Sequence, residues 1–167
     1  MKPIAFALLL LAGAPAALAQ PAPPAPPASS FAFEEVATLG PAQVVGETPN
    51  GRRQSVALTG GTVSGPGISG RILPGGGDYQ SIRSDGAVII DADYMIQTDD
   101  GVIIHVRNVG VVVPPTQGRP AYAWAAPKFE APNGRYGWLN DAIFVSRISG
   151  VGDPSHPGFR LTVWKIG

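Results

Sequence analysis

The stretch Asp91–Gly110, DADYMIQTDDGVIIHVRNVG, decides the fold expected for this sequence. Two runs rich in β-branched and other apolar residues flank Thr98-Asp-Asp-Gly101. Asp-Gly is typical of tight hairpin turns, because glycine tolerates positive φ. We therefore predict an antiparallel hairpin at the centre of the fold.

Counting by two separates the faces of the two arms. On the first arm one face holds Ile90, Tyr94 and Ile96, and the other holds Asp91, Asp93, Met95 and Gln97. On the second arm one face holds Val102, Ile104 and Val106, and the other holds Ile103, His105, Arg107 and Val109. Ionisable groups thus share a face with apolar residues, as expected of strands that line a ligand-sized cavity.

The rest of the chain favours an all-β domain. Glycine and proline are frequent, at 22 and 18 residues, and turn signals recur about every ten residues without a long helical period. We expect a break at Gly60-Gly61, an irregular segment at 127–134, a single helical turn at 138–141 and a mobile loop at 149–157. A single antiparallel β-barrel of roughly eight to ten strands is favoured over an open sheet, because closure removes exposed edges.

The N-terminus predicts export. Residues 1–19 have a basic start, an apolar run and an Ala17-Leu-Ala19 cleavage pattern, which together are typical of a signal peptide. Residues 20–30 are a Pro/Ala-rich spacer that is expected to be disordered, and 31–167 form the β-barrel domain. A periplasmic or secreted location is expected. The sequence has no cysteine, so no disulfide stabilises the domain.

Charge composition narrows the expected partners. Twelve Lys and Arg balance twelve Asp and Glu, and no basic stripe is present. This argues against nucleic acid as a partner and against a membrane-bound protein after signal cleavage. A small-molecule ligand or substrate is expected, and a homo-oligomer is possible.

The sequence contains no convincing motif for a cofactor or for a catalytic nucleophile. Gly65-Pro-Gly-Ile-Ser-Gly70 fits a dinucleotide-binding string, but a strand rather than a helix follows it. Only His105 and His156 are available as imidazole ligands, and no serine lies in a G-x-S-x-G elbow. We therefore expect no cofactor and no metal.

Several motifs resemble the domain-of-unknown-function 3237 family, also called uncharacterised protein family 0311. They include Gly46–Arg53, Thr59–Pro66 and Leu73–Asp78, followed by Arg83–Gly86, Thr98–Gly101, Pro127–Glu130 and Tyr136–Asn140. The resemblance covers nearly the whole domain in order and implies a small antiparallel β-barrel. Asp93 stands where many relatives are expected to have arginine.

The resemblance also implies a possible activity. A few fungal relatives look like cofactor-independent enzymes that add a hydroxyl across an alkene to close a cyclic ether. This implies an acid–base lyase, cyclase or isomerase that acts on an aromatic or polyketide-like substrate. Such a reaction needs a proton donor, a proton acceptor and an apolar cavity.

Candidate residues follow from strand faces and family motifs. His105 and Asp78 are the acid–base candidates, and Arg107 and Arg83 would stabilise an oxyanion. The candidate substrate-binding residues are Tyr94, Asp91, Trp124, Glu130, Trp138 and Asn140. Taken singly, each charged group fits a solvated face or an ion pair, and each aromatic fits a core position.

A non-catalytic binding module for an apolar molecule, or a barrel without a ligand, is the alternative. The enzyme hypothesis expects Asp78, His105 and Arg107 to converge in one enclosed pocket.

The export hypothesis predicts that the mature protein begins at Gln20. Cleavage after Ala19 would remove the apolar run and leave the Pro/Ala-rich spacer at the new N-terminus. N-terminal sequencing of protein recovered from the periplasm or medium checks this. An intact Met1 on the recovered protein would contradict it.

Overall fold

A computed structural model describes residues 23–153 and 155–167, so the expected signal peptide lies outside the described residues. Nine strands and one short 3-10 helix make up the described chain. The strands are β1 Ser29–Thr48, β2 Gly51–Gly65, β3 Ile68–Ile72, β4 Gly77–Ile82, β5 Val88–Thr98, β6 Ile103–Val113, β7 Tyr122–Glu130, β8 Ile143–Asp153 and β9 His156–Ile166. The helix η1 spans Gly137–Leu139. The prediction of an all-β antiparallel fold is confirmed.

The sheet closes on itself because β1 pairs with both β2 and β9. The remaining neighbours follow in the order β9, β8, β7, β6 and β5. Strands β3 and β4 occupy one position together, since each pairs with β2 on one side and β5 on the other. The barrel therefore has eight strand positions, a size whose interior side chains can fill or which can hold one small ligand.

The strands are staggered around the barrel. Register partners lead from Ile89 through β6, β7, β8, β9, β1 and β2 to Ser69 on β3. The carbonyl of Ser69 accepts the backbone N–H of Asp99 at 2.9 Å, so the path returns to β5 ten residues further along. This stagger tilts the strands and sets which inward residues share a level.

One end of the barrel is filled by aromatic side chains, and we call it the closed end. Phe129 packs edge-on against Phe33 and Phe144, with ring centroids 5.4 and 5.1 Å apart. Leu139 of η1 and the neighbouring Tyr136 are buried at this end, beside the β5–β6 turn. The turns after β1, β4, β6 and β8 lie at the opposite end, which we call the open end.

Several strands are longer than expected. β1 begins at Ser29, within the segment expected to be a spacer, and continues past Gly40 with register shifts after Thr38. β2 runs through Gly60 and Gly61 without interruption, because glycine can adopt their φ values of 150° and 148°. β7 extends into the segment expected to be irregular, and 149–157 is largely a β8–β9 hairpin rather than a loop.

The seam between β7 and β8 is the thinnest part of the barrel wall. Only two register pairs join these strands, Trp124 with Arg147 and Ala125 with Ser146. The segment 131–142, which contains η1, fills the space between the end of β7 and the start of β8. Among the residues that the structure describes, no helix is long and apolar enough to span a membrane.

The crossing of β3 over β5 predicts a strict requirement for glycine at Gly70. A Cβ at this position would lie 2.2 Å from the carbonyl oxygen of Gln97 and 2.7 Å from the Cα of Thr98. Gly70→Ala is expected to lower the free energy of unfolding by about 1–3 kcal/mol or more, because backbone must shift. Chemical denaturation measures this change.

Gly150→Ala is the matched control, since a Cβ there meets no atom within 4 Å. Equal stability of the two variants would contradict the crowding seen at the crossing of β3 and β5.

Candidate active site

Besides Thr98 at the β5–β6 turn, four polar side chains of the described residues are buried, and they face the inside of the barrel together with Tyr94. They are Glu35 on β1, Asp78 on β4, Asn108 on β6 and Ser146 on β8, and none is more than 4% exposed. Burying polar groups in an apolar interior is costly unless they are paired. Their concentration in one barrel therefore marks the interior as the first place to look for a site.

Glu35 and Tyr94 form a hydrogen-bonded pair in the middle of the barrel. The Tyr94 hydroxyl donates to Oε2 of Glu35, and both residues are almost completely buried. Desolvation raises the pKa of Glu35 to about 7, and the hydrogen bond from Tyr94 offsets part of this rise. Desolvation, followed by the neighbouring Glu35, raises the pKa of Tyr94 well above its ordinary value. Glu35 is thus poised to exchange a proton near neutral pH.

Asp78 faces inward from the start of β4, opposite Ala92 of β5. Its Oδ1 accepts the backbone N–H of Asp91 at 3.0 Å, and its Oδ2 accepts Nε2 of Gln80 at 2.6 Å. Gln54 donates in turn to Gln80 at 2.7 Å. Desolvation raises the pKa of Asp78, while the two N–H donors oppose that rise by favouring the carboxylate.

A cavity of about 180 Å³ lies inside the barrel toward its open end. Its polar lining consists of Asp78, Gln80 and Asn108. Its apolar lining consists of Leu39, Ile90, Ala92, Ile148, Phe159 and Leu161. An apolar enclosure with a few convergent polar groups is the usual form of a small-molecule site.

Three buried side-chain atoms of the described residues have no hydrogen-bond partner: Oε1 of Glu35, Oδ1 of Asn108 and Oγ of Ser146. Native proteins contain few such atoms, and each calls for an explanation. We call Glu35, Tyr94, Asn108 and Ser146 the polar floor, because the register places them together beneath the cavity.

Register partners support this placement. Asn108 lines the cavity itself and pairs with Ala92, and Tyr94 is the next inward residue after Ala92 on β5. Ser146 is the inward residue just before Ile148 on β8. Glu35 is the register partner of Leu161. Each floor residue thus lies in the cavity lining or next to a lining residue, on the side toward the closed end.

The charged face of the central hairpin lies outside the barrel. Nε2 of His105 is 3.0 Å from Oδ1 of Asp93, and Nε of Arg107 donates to Oδ1 of Asp91 at 3.1 Å. An open groove of about 560 Å³ runs beside these residues along Leu73–Gly76 and Tyr79. This groove is larger than the interior cavity, but its charged groups already pair with one another. The interior is the better candidate because three of its buried polar atoms remain unpaired.

The structure does not bring the sequence-predicted site residues together. Asp78 and Tyr94 face the interior, whereas His105, Arg107 and Asp91 lie on the outer face, so the expected convergence of Asp78, His105 and Arg107 is not found. Arg83 pairs with Asp85 at 2.7 Å in the β4–β5 turn. From the sequence, it could not be decided which face of the hairpin points inward, because both faces carry apolar residues.

The other candidate residues have structural surroundings. Glu130 is exposed at the end of β7, 3.8 Å from Nδ1 of His105. Trp124 packs against Trp164, and Trp138 packs against Phe144. The Asn140 amide bonds both the N–H and the carbonyl of Ala131, at 2.8 and 2.9 Å, and so fixes the segment after β7.

Sequence reasoning missed Glu35, Asn108 and Ser146. A signal for Glu35 was present, because counting by two in β1 puts it on the same face as Phe33 and Ala37. Asn108 likewise shares the face of Ile104 and Val106. A carboxyl or amide among buried apolar residues at period two is the pattern that would have identified them.

Residues 27–166 match the family described as protein of unknown function DUF3237. A UPF0311 protein from Rhodopseudomonas palustris is 34% identical over 129 residues, covering 70% of this chain and 84% of the relative. The hydroalkoxylation enzyme phnH from Penicillium herquei is 31% identical over 112 residues, covering 66% of this chain and 67% of that enzyme.

Solved structures agree with these matches. A protein of unknown function from R. palustris has a TM-score of 0.77 at 29% identity, covering 86% of this chain and all of that one. A β-barrel-like protein from Acinetobacter baumannii has a TM-score of 0.77 at 26% identity, covering 86% of this chain and 98% of that one. An enzyme from P. herquei has a TM-score of 0.69 at 27% identity, covering 89% of this chain and all of that one.

The Glu35–Tyr94 pair predicts a pH-dependent loss of stability. The folded protein keeps a proton on Glu35 that the unfolded chain releases, because burial raises the pKa from 4.5 to about 7. The stabilisation is fully present below about pH 4.5 and is lost as the pH rises toward 7, a change on the order of 3 kcal/mol. Urea unfolding between pH 5 and pH 8 measures it.

Glu35→Gln is the reference, since it keeps the shape of the side chain and removes the titration. The free energy of unfolding of the wild type should fall relative to this variant as the pH rises. Parallel pH profiles for the two proteins would show that Glu35 does not titrate in this window.

Proposed function

Because this chain belongs to the DUF3237 family, as its motifs suggested, and resembles a hydroalkoxylation enzyme, we propose that it is a cofactor-independent acid–base catalyst. The reaction class is a lyase, cyclase or isomerase reaction on a small aromatic or polyketide-like compound. The observation that carries the proposal is the presence of two buried carboxyl groups in the barrel interior: Asp78 lines the cavity, and Glu35 lies in the floor beneath it.

The two carboxyl groups have different surroundings, which suits them to different roles. Glu35 is fully buried and its pKa is raised to about 7, so it can carry a proton near neutral pH and is the proton donor. Asp78 accepts two N–H hydrogen bonds that favour its carboxylate, so it is the proton acceptor. Environments that separate two carboxyl groups in this way commonly identify the acid and the base of an active site.

The proposed reaction balances without an added reagent. Glu35 transfers a proton to one carbon of an alkene, and a hydroxyl oxygen of the same substrate bonds to the other carbon. Asp78 takes the proton that the hydroxyl loses, and a cyclic ether of unchanged mass is formed. Proton exchange with water then restores both carboxyl groups, and the apolar walls keep water from adding to the alkene in place of the hydroxyl.

A non-catalytic binding module is the second candidate. The mostly apolar lining of the interior cavity favours it, because six of the nine lining residues are hydrophobic. This protein would hold a small molecule without transforming it. The two candidates differ in turnover and agree on the location of the ligand.

We also propose that the protein acts outside the cytoplasm, in the periplasm or the medium. This proposal rests on the composition of residues 1–30. An exported enzyme without cofactors would need no supply of nucleotides, which are cytoplasmic metabolites. The mostly apolar lining of the interior cavity is consistent with an uncharged substrate.

Asp78→Asn is expected to lower turnover by roughly 100-fold or more, because the proton acceptor is lost while the shape of the side chain is kept. Suitable probes are alkenyl phenols such as 2-(3-methylbut-2-enyl)phenol, whose ring closure can be followed by proton NMR. Thermal unfolding of the variant checks that the barrel remains folded.

His105→Ala and Arg107→Ala serve as comparisons from the outer face. The interior site predicts normal turnover in both variants. Loss of turnover in these two variants with normal turnover in Asp78→Asn would place the chemistry on the outer face. Binding of the alkenyl phenols without turnover would favour the binding module.

A further inference from the structure

We propose that the interior cavity selects neutral, single-ring compounds that carry a hydroxyl group, and that it binds them with the hydroxyl against the polar floor. The inference rests on the proposed function only in using the same cavity, and it names the ligand class and its orientation. It follows from three features: the unpaired atoms of the polar floor, of which Asn108 lines the cavity while Glu35 and Ser146 lie next to lining residues, the charges around the cavity, and its volume.

The floor atoms call for a ligand that can both donate and accept hydrogen bonds. Oδ1 of Asn108 is an acceptor, Oγ of Ser146 can donate or accept, and Oε1 of Glu35 accepts when it is ionised and can donate when it is protonated. A hydroxyl group matches this set, because it offers one donor and two acceptor lone pairs. A plain hydrocarbon would leave all three atoms buried and unpaired.

The charges around the cavity disfavour an anion. No lysine, arginine or histidine is among the nine lining residues, whereas Asp78 is, and Glu35 lies in the floor. A carboxylate or phosphate would face two carboxyl groups without a counter-charge. A cation is disfavoured for another reason: the desolvation cost of burying it in a mostly apolar cavity exceeds what Asp78 can return, because both oxygens of Asp78 already accept N–H donors.

The volume limits the ligand to one ring. An enclosed apolar cavity of roughly 150 Å³ holds a benzene molecule. The cavity here, of about 180 Å³, has room for one ring and a few further atoms. The rest of a larger molecule would extend through the open end, between the β1–β2 and β8–β9 hairpins. The walls Ile90, Ile148 and Phe159 would then contact the ring.

Phenol and toluene are the probes that test the hydroxyl preference, because they have nearly the same shape and differ in this one group. Calorimetry or NMR titration of the full mature chain should give at least tenfold tighter binding of phenol than of toluene. Benzoate and benzylamine, which carry opposite charges on a similar ring, should each bind more weakly than phenol.

Ser146→Ala tests the orientation. It should reduce the preference for phenol over toluene severalfold while leaving toluene affinity unchanged, because only the hydroxyl partner is lost. Ser149→Ala is the matched control, since Ser149 is on the same strand and exposed, and it should leave both affinities unchanged.

Several outcomes would overturn the inference. These are equal affinity for phenol and toluene, no binding of either, tighter binding of benzoate or benzylamine, or an unchanged preference in Ser146→Ala. None of these measurements involves turnover. A preference for phenol without any turnover would support this inference and contradict the proposed enzyme activity. Turnover that is lost in Asp78→Asn, without a preference for phenol, would support the enzyme activity and contradict this inference.

Discussion

Closure of the sheet is the constraint on which the rest of the structure depends. Once β1 pairs with both β2 and β9, each described strand has a neighbour on both sides along at least part of its length, and the sheet has no terminal strand. Eight strand positions with this stagger enclose a space about as wide as two opposed layers of side chains. Each inward residue therefore either fills this space or borders a cavity, and the polar residues among them are buried away from solvent.

The inward side chains differ in chemical character from one end of the barrel to the other. Aromatic packing fills the closed end, where Phe33, Phe129 and Phe144 meet edge to face. The polar floor crosses the middle, and the apolar cavity lies above it. A wholly apolar interior would avoid the cost of burying Glu35, Asn108 and Ser146 without full pairing. Retention of such groups at one level is the pattern expected where function has been favoured over stability.

Much of the fold could be predicted from the sequence, because closely spaced turn signals and alternating polarity report directly on antiparallel strands. The Asp91–Gly110 hairpin has the expected turn and the expected division of its faces. Which face is the inner one could not be predicted, because Met95, Ile103 and Val109 give the outer face an apolar character of its own. The charged residues on that outer face attracted the functional hypothesis, although they pair with one another in water.

The site was harder to predict because it is assembled across strands that are distant in sequence. Asp78, an acid–base candidate from the sequence, borders the cavity, whereas its neighbours Gln80 and Asn108 were not anticipated. Glu35 follows Glu34 in the sequence, and two adjacent acidic residues suggest a solvated strand. Only the alternation of β1, which sends Glu34 outward to Arg160 and Glu35 inward to Tyr94, separates the two.

The thin β7–β8 seam has a consequence for motion. With two register pairs holding these strands together, separation there breaks fewer hydrogen bonds than at any other neighbouring pair of long strands in the described barrel. Local opening therefore requires the least free energy at this seam, and amide hydrogen exchange is expected to be fastest along it. Ser146 belongs to one of these two register pairs. Local separation of β7 and β8 would therefore expose the polar floor through the side of the barrel, at a place separate from the open end.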